Sequence, residues 1–253
     1  MPEAWLPGAV SPALAAGLVL LSLVTSMMTA GLGAGGGILL LAVLSIALPP
    51  QAIIPVHGMI QLGANASRSL MAFRYIDWVT IRWFMPGLLV GALVGSAVLV
   101  QLPPAVFQLV IALFVLYLCW GPALPERSLG RGGILILSTV TTFLTLFVGA
   151  TGPLLTAFLK RLYEQRFVTV ATIAAATLLQ HLVKVVVFGL AGFEFSQWLP
   201  LIGVMIAAGA VGTRLGLALL DRTSDSAFQR YLNLLLTLLA LRLLWQAMKG
   251  LLG

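Results

Sequence analysis

Polar side chains recur along two apolar stretches of this sequence at spacings of three and four residues. The residues of the two stripes are His57, Gln61, Asn65 and Arg68, followed later by Thr177, Gln180, His181 and Lys184. Such spacings bring side chains to one face of an α-helix. Hydroxyl, amide and imidazole groups donate hydrogen bonds, and a lysine adds positive charge. The stripes therefore favour binding of a small anion.

The acidic residues lie outside both stripes. All seven fall in predicted loops or at segment ends: Glu3, Asp77, Glu126, Glu164, Glu194, Asp221 and Asp225. No buried carboxylate is then available to bind Na⁺ or carry protons, which weakens an interpretation as a cation transporter. A Lys near the bilayer centre costs roughly 2.5 to 3.5 kcal/mol on insertion scales. An anionic substrate would be the natural partner of Lys184.

Other interpretations stay open for the basic residues and the histidines. Lys184 can snorkel to the membrane interface. For Arg68, which is nearer a segment end, snorkelling competes evenly with binding. His57 and His181 are the two histidines of the chain, and they can form an interhelical hydrogen bond. Imidazole can also exchange a proton near neutral pH, so proton coupling stays open.

The composition identifies the environment of these residues. The chain has 253 residues, of which 60% are hydrophobic and 8% charged, with a mean hydropathy of +1.09. Soluble domains contain roughly 45–50% apolar residues, so we predict one all-α integral membrane unit in a lipid bilayer. The net charge of +7 then reflects topology rather than nucleic-acid binding. No catalytic constellation, metal-ligand cluster or cofactor motif is present in the sequence, so we expect no enzyme.

Charge and Pro/Gly punctuation divide the chain into ten apolar segments. They cover 11–30, 35–48, 51–73, 79–101, 105–120, 131–149, 152–162, 167–191, 197–220 and 227–248. As helices, 35–48 and 152–162 reach only about 21 and about 17 Å, against a hydrocarbon core of ~30 Å. Each must therefore begin inside the membrane.

A glycine-rich break precedes each short segment. The first break covers 31–37, and the second reads Gly149-Ala150-Thr151-Gly152-Pro153. Paired breaks of this kind are typical of transporters, and a helix N-terminus there carries about half a positive charge that favours anions. The predicted anion-binding residues are Gly33, Gly35, Gly36, Gly37, His57, Gln61, Asn65, Thr151, Gly152, Thr177, His181 and Lys184.

The two breaks occupy equivalent positions of an internal repeat. Gly33 aligns with Gly149, Gly36 with Gly152, and the match continues through Trp78 with Trp198 to Phe107-Gln108 with Phe228-Gln229. An odd number of segments per half inverts the second half. We predict a first repeat over 1–120, a cytoplasmic linker over 121–130 and an inverted second repeat over 131–253. Four further glycines fit close helix packing: Gly91, Gly95, Gly212 and Gly216.

The positions of the basic residues predict the orientation. Under the positive-inside rule the loops around 74–82, 121–131, 160–166 and 221–230 are cytoplasmic, which places both termini outside. If 35–48 and 152–162 were re-entrant, basic loops would fall on both faces. Ten membrane segments are therefore favoured.

Several stretches resemble the sulfite exporter TauE/SafE family, also known as the four-toluene sulfonate uptake permease superfamily. They are Gly31 to Leu40, Pro50-Gln51-Ala52, the polar third segment and Arg74-Tyr75-Ile76-Asp77-Trp78. The resemblance covers nearly the whole chain. It implies a bacterial inner-membrane transporter that exports sulfite, sulfonates or other organic anions by secondary active transport.

We expect alternating access around an anion site near the bilayer midplane, between the two breaks. A passive anion channel with the same lining stays open as an alternative, as does an uptake permease for the same anions. A membrane assembly factor is a further alternative, and it would not need the polar stripes. A homo-oligomer also stays open.

Overall fold

The computed structural model describes residues 10–32, 35–99, 104–121, 130–149, 151–159, 162–219 and 226–252. These residues form ten α-helices, with short 3-10 helices at Phe73–Tyr75 and Ser196–Trp198, and they contain no strand. The α-helices are α1 (Pro12–Leu32), α2 (Gly36–Ala47), α3 (Pro50–Met71), α4 (Trp78–Leu99), α5 (Pro104–Trp120), α6 (Arg131–Val148), α7 (Gly152–Leu159), α8 (Arg166–Leu190), α9 (Leu199–Leu219) and α10 (Ser226–Leu252). Each predicted apolar segment thus coincides with one helix.

Five described helical stretches are long and apolar enough to cross a membrane. They are Pro12–Leu32, Trp78–Val98, Arg131–Val148, Arg166–Leu190 and Ser196–Leu219. Two further apolar stretches, Gly36–Ala47 and Gln108–Trp120, are shorter. Large apolar side chains cover much of the outer surface, including Leu93 and Leu190 at 71% and 86% exposed. Such a surface suits a lipid environment rather than water.

The two short helices begin at the glycine-rich breaks, as predicted. Helix α2 has 12 residues and starts at Gly36, while α7 has 8 residues and starts at Gly152. Gly35 and Gly149 adopt positive φ angles of 98° and 81°, a conformation that residues with a Cβ rarely adopt. The predicted site residue Gly33 lies outside the described residues.

Glycines bring two pairs of long helices into backbone contact. Gly212 and Gly216 of α9 lie against the carbonyls of Leu23 and Met27 of α1. Gly91 of α4 lies in the same way against the carbonyl of Thr139 of α6. Residue numbers rise together along both pairs, so the paired helices are parallel. The predicted packing role of these glycines is confirmed.

Helices α3 and α8 pack together in antiparallel directions in the middle of the molecule. Thr177 Oγ1 lies 2.9 Å from Asn65 Oδ1, and the ring centroids of His57 and His181 are 5.9 Å apart. Helices α5 and α10 also pack against each other. The polar stripes on α3 and α8 therefore face each other, as the sequence predicted.

Candidate functional site

A small polar cavity lies between α3, α8 and the first residues of the two short helices. It encloses about 40 Å³, which is room for about three water molecules or an oxyanion of a few atoms. Its main polar lining comes from His57, Gln61, Asn65, Arg68, Thr177 and His181. Gly35, Gly37, Gly152 and Pro153 line it from the breaks, and none of the lining side chains is a carboxylate.

The polar residues of α3 form a hydrogen-bonded row along the cavity. Asn65 Nδ2 donates to the carbonyl oxygen of Gln61 over 2.8 Å. Arg68 Nη1 donates to Asn65 Oδ1, also over 2.8 Å. Because Thr177 Oγ1 contacts the same Asn65 oxygen, the amide of Asn65 holds Arg68 in position and links the two helices.

Arg68 is a cavity residue that the sequence analysis left undecided. Its side chain is 3% exposed, so it does not snorkel to the membrane interface. Its Nε is buried and has no hydrogen-bond partner. A buried guanidinium without a carboxylate partner is costly unless an anion binds to it. The signal in the sequence was its place in the stripe, three residues after Asn65.

His57 joins α3 to the first break. Its Nε2 lies 3.0 Å from the carbonyl oxygen of Gly37. Because a carbonyl oxygen only accepts, Nε2 carries the hydrogen. The other ring nitrogen, Nδ1, is buried and unpartnered. The ring also meets that of His181 edge-on, with an interplanar angle of 72°.

The predicted glycines of the first break have different positions. Gly35 and Gly37 line the cavity, and a Cβ at Gly37 would lie 3.3 Å from Gln61 Nε2. Gly36 instead packs against the backbone carbonyl of Thr25 and the hydroxyl of Thr29 on α1. It is not among the residues that line the cavity. The N-terminal end of α2 nevertheless faces the cavity, because Gly35 and Gly37 on either side of Gly36 line it.

The second break contributes Gly152 and Pro153 to the cavity, but Thr151 turns away from it. Thr151 is 2% exposed, and its hydroxyl donates to Gln180 Oε1 over 3.2 Å. Gln180 Nε2 donates in turn to Thr141 Oγ1 over 2.8 Å and lies 3.1 Å from Thr142 Oγ1. Thr151 thus belongs to a buried network that ties the break to α6 and α8.

Lys184 is fully buried but is separated from the cavity by His181. Its side chain is 0% exposed and is not part of the cavity lining. Its Nζ donates to the carbonyl oxygen of Gly149 over 2.7 Å and lies 3.3 Å from His181 Nδ1. Gly149 follows the last residue of α6, where the helix dipole favours a cation. Lys184 therefore stabilises the second break.

A second polar cluster connects the loop before α8 to the start of α4. Asp77 Oδ1 accepts from the backbone N–H of Val79 over 2.9 Å, and Oδ2 accepts from Thr80 and Tyr163 over 2.8 Å each. Burial raises the pKa of Asp77, but these hydrogen bonds outweigh it, and the net pKa is below the ordinary value. Burial also raises the pKa of Tyr163 to about 12. The cluster joins the loops around Asp77 and Tyr163, which the sequence predicts to lie on the same side of the membrane.

Apolar helices around a buried cavity that is lined by an arginine define a class of protein: multi-pass membrane proteins. The family model described as Sulfite exporter TauE/SafE matches residues 18–243. The chain belongs to this family, and it is a membrane transporter for which the family implies export of sulfite-type anions. No curated protein and no solved structure matches the chain.

The family also indicates the chemistry and the environment of the protein. A transporter family is consistent with the expectation that the chain is not an enzyme. The family implies a small anion as the substrate and a lipid environment, in agreement with the apolar helices. Within the described residues, no group of three or more His, Cys, Asp or Glu side chains could hold a metal ion.

Proposed function

We propose that this protein is a secondary active transporter that exports sulfite, sulfonates or related organic anions across the bacterial inner membrane. The anion would occupy the cavity between α3 and α8. The observation that carries this proposal is Arg68, whose buried guanidinium lines the cavity with an unpartnered Nε and with no carboxylate among the described residues of the lining. Bidentate hydrogen bonding to an oxyanion suits the planar guanidinium.

The other predicted site residues contribute in two ways. Gln61, Asn65 and His181 line the cavity with N–H groups that can donate hydrogen bonds to the anion. His57 and Thr177 also line it, but their donors are bonded to Gly37 and Asn65 and hold the site in shape. Gly35, Gly37 and Gly152 line the cavity beside the starts of α2 and α7, so the positive ends of these two helices would face the anion. The other three predicted residues act indirectly. Gly36 packs α2 on α1, and Thr151 and Lys184 hold the second break in position.

We further propose that residues 1–120 and 131–253 are inverted repeats that rock against each other, giving ten membrane segments. The helix pairing supports this arrangement. In the proposed repeat α1 corresponds to α6 and α4 corresponds to α9. The contact between α1 and α9 therefore has its equivalent in the contact between α6 and α4. The α3–α8 and α5–α10 pairs convert into themselves. A pseudo-two-fold axis between the halves requires this pattern, and it makes α3 and α8 antiparallel.

The proposed orientation places both termini outside the cytoplasm and residues 121–130 inside. The hydrogen bond between Tyr163 and Asp77 supports it, because it holds together the basic loops at 74–82 and 160–166. The parallel packing of α1 on α9 and of α4 on α6 is also what ten crossings require. An internal cysteine scan with a membrane-impermeant reagent would test the sidedness.

The decisive experiment compares two arginine variants in sulfite binding and in flux from proteoliposomes. Arg68→Gln should weaken binding about 10- to 100-fold, because a hydrogen bond to a charged group contributes about 1.5–3 kcal/mol. Arg82→Gln is the matched control, since Arg82 is exposed on α4, and it should bind like the wild type. Wild-type affinity in Arg68→Gln would contradict the proposed site. Uphill flux driven by an imposed proton gradient would distinguish a carrier from a passive channel.

A further inference from the structure

Lys184, His181 and the cavity form a continuous chain of contacts. The chain runs from the Gly149 carbonyl oxygen to Lys184 Nζ, then to His181 Nδ1, and through the imidazole ring into the cavity. We propose that Lys184 is the proton-binding site of this transporter and that His181 transmits its protonation state to the anion site. This inference rests on the proposed function, because it requires an anion in the cavity.

The surroundings of Lys184 accommodate a charge without a carboxylate. The Gly149 carbonyl accepts one ammonium hydrogen at the C-terminal end of α6, and the negative end of the helix dipole lies there. The aliphatic part of the side chain lies on Gly58 of α3, where a Cβ would be only 2.7 Å from Lys184 Cδ. A buried site shaped for this one side chain indicates a role that a surface lysine could not fill.

The contact between Lys184 and His181 sets which ring nitrogen carries the hydrogen. An ammonium can only donate, so His181 Nδ1 must accept from it, and the hydrogen of the neutral ring is then on Nε2. Because His181 lines the cavity, Nε2–H is available to donate to a bound anion. With Lys184 protonated, the site gains both a positive charge and a hydrogen-bond donor.

When Lys184 loses its proton, two linked proton transfers reverse this arrangement. The Nε2 hydrogen leaves as a proton to water in the cavity, and Nδ1 takes a proton from the ammonium. The products are a neutral Lys184 amine that accepts a hydrogen bond from Nδ1–H and an unprotonated Nε2 that faces the cavity. One proton has left the protein, and the lone pair of Nε2 now repels an anion. Protons thus reach Lys184 through His181 although Lys184 does not line the cavity.

The other charged and titratable groups around the pair do not take part in the relay. From α3, the His57 ring meets His181 edge-on, but its Nε2 is bonded to the Gly37 carbonyl and its Nδ1 has no hydrogen-bond partner with which to exchange a proton. Arg68, also on α3, is a permanent cation further along the cavity. The end of α6 contributes only the backbone carbonyl of Gly149. The relay therefore predicts that proton and anion bind together.

Calorimetry in buffers of different ionisation enthalpy measures this linkage, with the purified full-length protein and methanesulfonate, an anion that does not change charge over neutral and alkaline pH. The wild type should take up roughly one proton per bound anion at alkaline pH, and its affinity should fall about tenfold per pH unit there. Lys184→Met should bind more weakly at neutral pH, with no pH dependence.

A second pair of variants keeps the test independent of the folding of Lys184→Met. His181→Gln retains Lys184 and an amide donor but removes the ring whose cavity-facing nitrogen gains or loses its hydrogen with the protonation of Lys184, so proton uptake on anion binding should be largely lost. Arg82→Gln, at an exposed position of α4 outside the cavity lining, is the control and should retain proton uptake. Proton uptake that persists in His181→Gln, or anion binding by the wild type without proton uptake at any pH, would overturn the relay alone. A wild type that binds no anion at any pH would overturn the proposed function and the relay with it.

Discussion

The break before α2 and the break before α7 both direct a helix N-terminus at the same cavity, but different contacts hold them. Before α2, Gly36 packs directly on the carbonyl of Thr25. Before α7, Gly152 has open space around it, and Gly149 holds a positive φ angle with its carbonyl bound to Lys184. Both breaks contain a glycine with a positive φ angle, Gly35 or Gly149, but the first also depends on the missing side chain of Gly36 and the second on the buried cation of Lys184.

The loops that follow the two short helices also differ in the contacts that hold them. After α2 the chain turns within Leu48 and Pro49 and enters α3 without charged residues. After α7 the chain reaches α8 through a longer loop, in which Tyr163 bonds to Asp77 and Thr80. The two short helices can therefore share one arrangement while the surroundings of α2 rely on packing and those of α7 on polar contacts.

The largest expected effect is a contrast between Gly36→Ala and Gly152→Ala. A methyl group at Gly36 would overlap the backbone of α1 at Thr25, and backbone cannot move aside as a side chain can. Overpacking of this kind costs about 1–3 kcal/mol or more. Gly152→Ala meets no atom within 4 Å and should change the free energy of unfolding by less than about 0.5 kcal/mol. Denaturation in mixed micelles measures both, and equal effects would show that the breaks are held alike.

A smaller effect separates two glycines with similar backbone angles. Gly149→Ala and Gly192→Ala both impose a left-handed conformation, which costs about 1–2 kcal/mol for a residue with a Cβ. Only at Gly149 would the Cβ also crowd a neighbour, Leu41 Cδ1 at 2.9 Å. Gly149→Ala should destabilise more and should weaken anion binding, because the Gly149 carbonyl holds Lys184. An unchanged anion affinity in Gly149→Ala would argue against a role of the second break.

The smallest effect concerns the polar contacts of the loop after α7. Tyr163→Phe removes the hydrogen bonds to Asp77 and Thr80 and should cost about 1 kcal/mol. Tyr117→Phe, on an exposed tyrosine of α5, serves as the control and should be neutral. If Tyr163→Phe proved as stable as this control, the cluster would not hold the second half.

The pH dependence of stability gives an independent measure of this cluster. The pKa of Tyr163 is raised to about 12, so its contribution should be complete below the ordinary value of about 10 and lost as pH rises between these values. The pKa of Asp77 is lowered, so its contribution should be present above about pH 4 and lost on further acidification. Tyr163→Phe should abolish the alkaline loss, and Asp77→Asn the acidic one, in unfolding measured across pH.

The starts of the short helices and the two polar stripes were predictable from the sequence. Glycine runs in an apolar chain are poor helix formers, and α2 and α7 do begin at Gly36 and Gly152. The periodicity of the stripes indicated which face of α3 and of α8 is polar. The periodicity could not predict that Arg68 lines the cavity and Lys184 does not, because both are basic residues on these faces. Thr151 likewise has a hydroxyl that could face the cavity or the protein interior. Only its hydrogen bond with Gln180 shows that the hydroxyl faces away from the cavity.

What the sequence determined by itself is local: which stretches are apolar, where helices must stop, and which side of each helix carries polar groups. These follow from composition and periodicity, since they depend on neighbours a few residues apart. Only the tertiary structure decided that Arg68 enters the cavity while Lys184 lies behind His181 against Gly149. That outcome depends on the register of α3 against α8, which is set by side-chain packing between residues more than a hundred positions apart in the chain, such as Asn65 and Thr177 at a separation of 112.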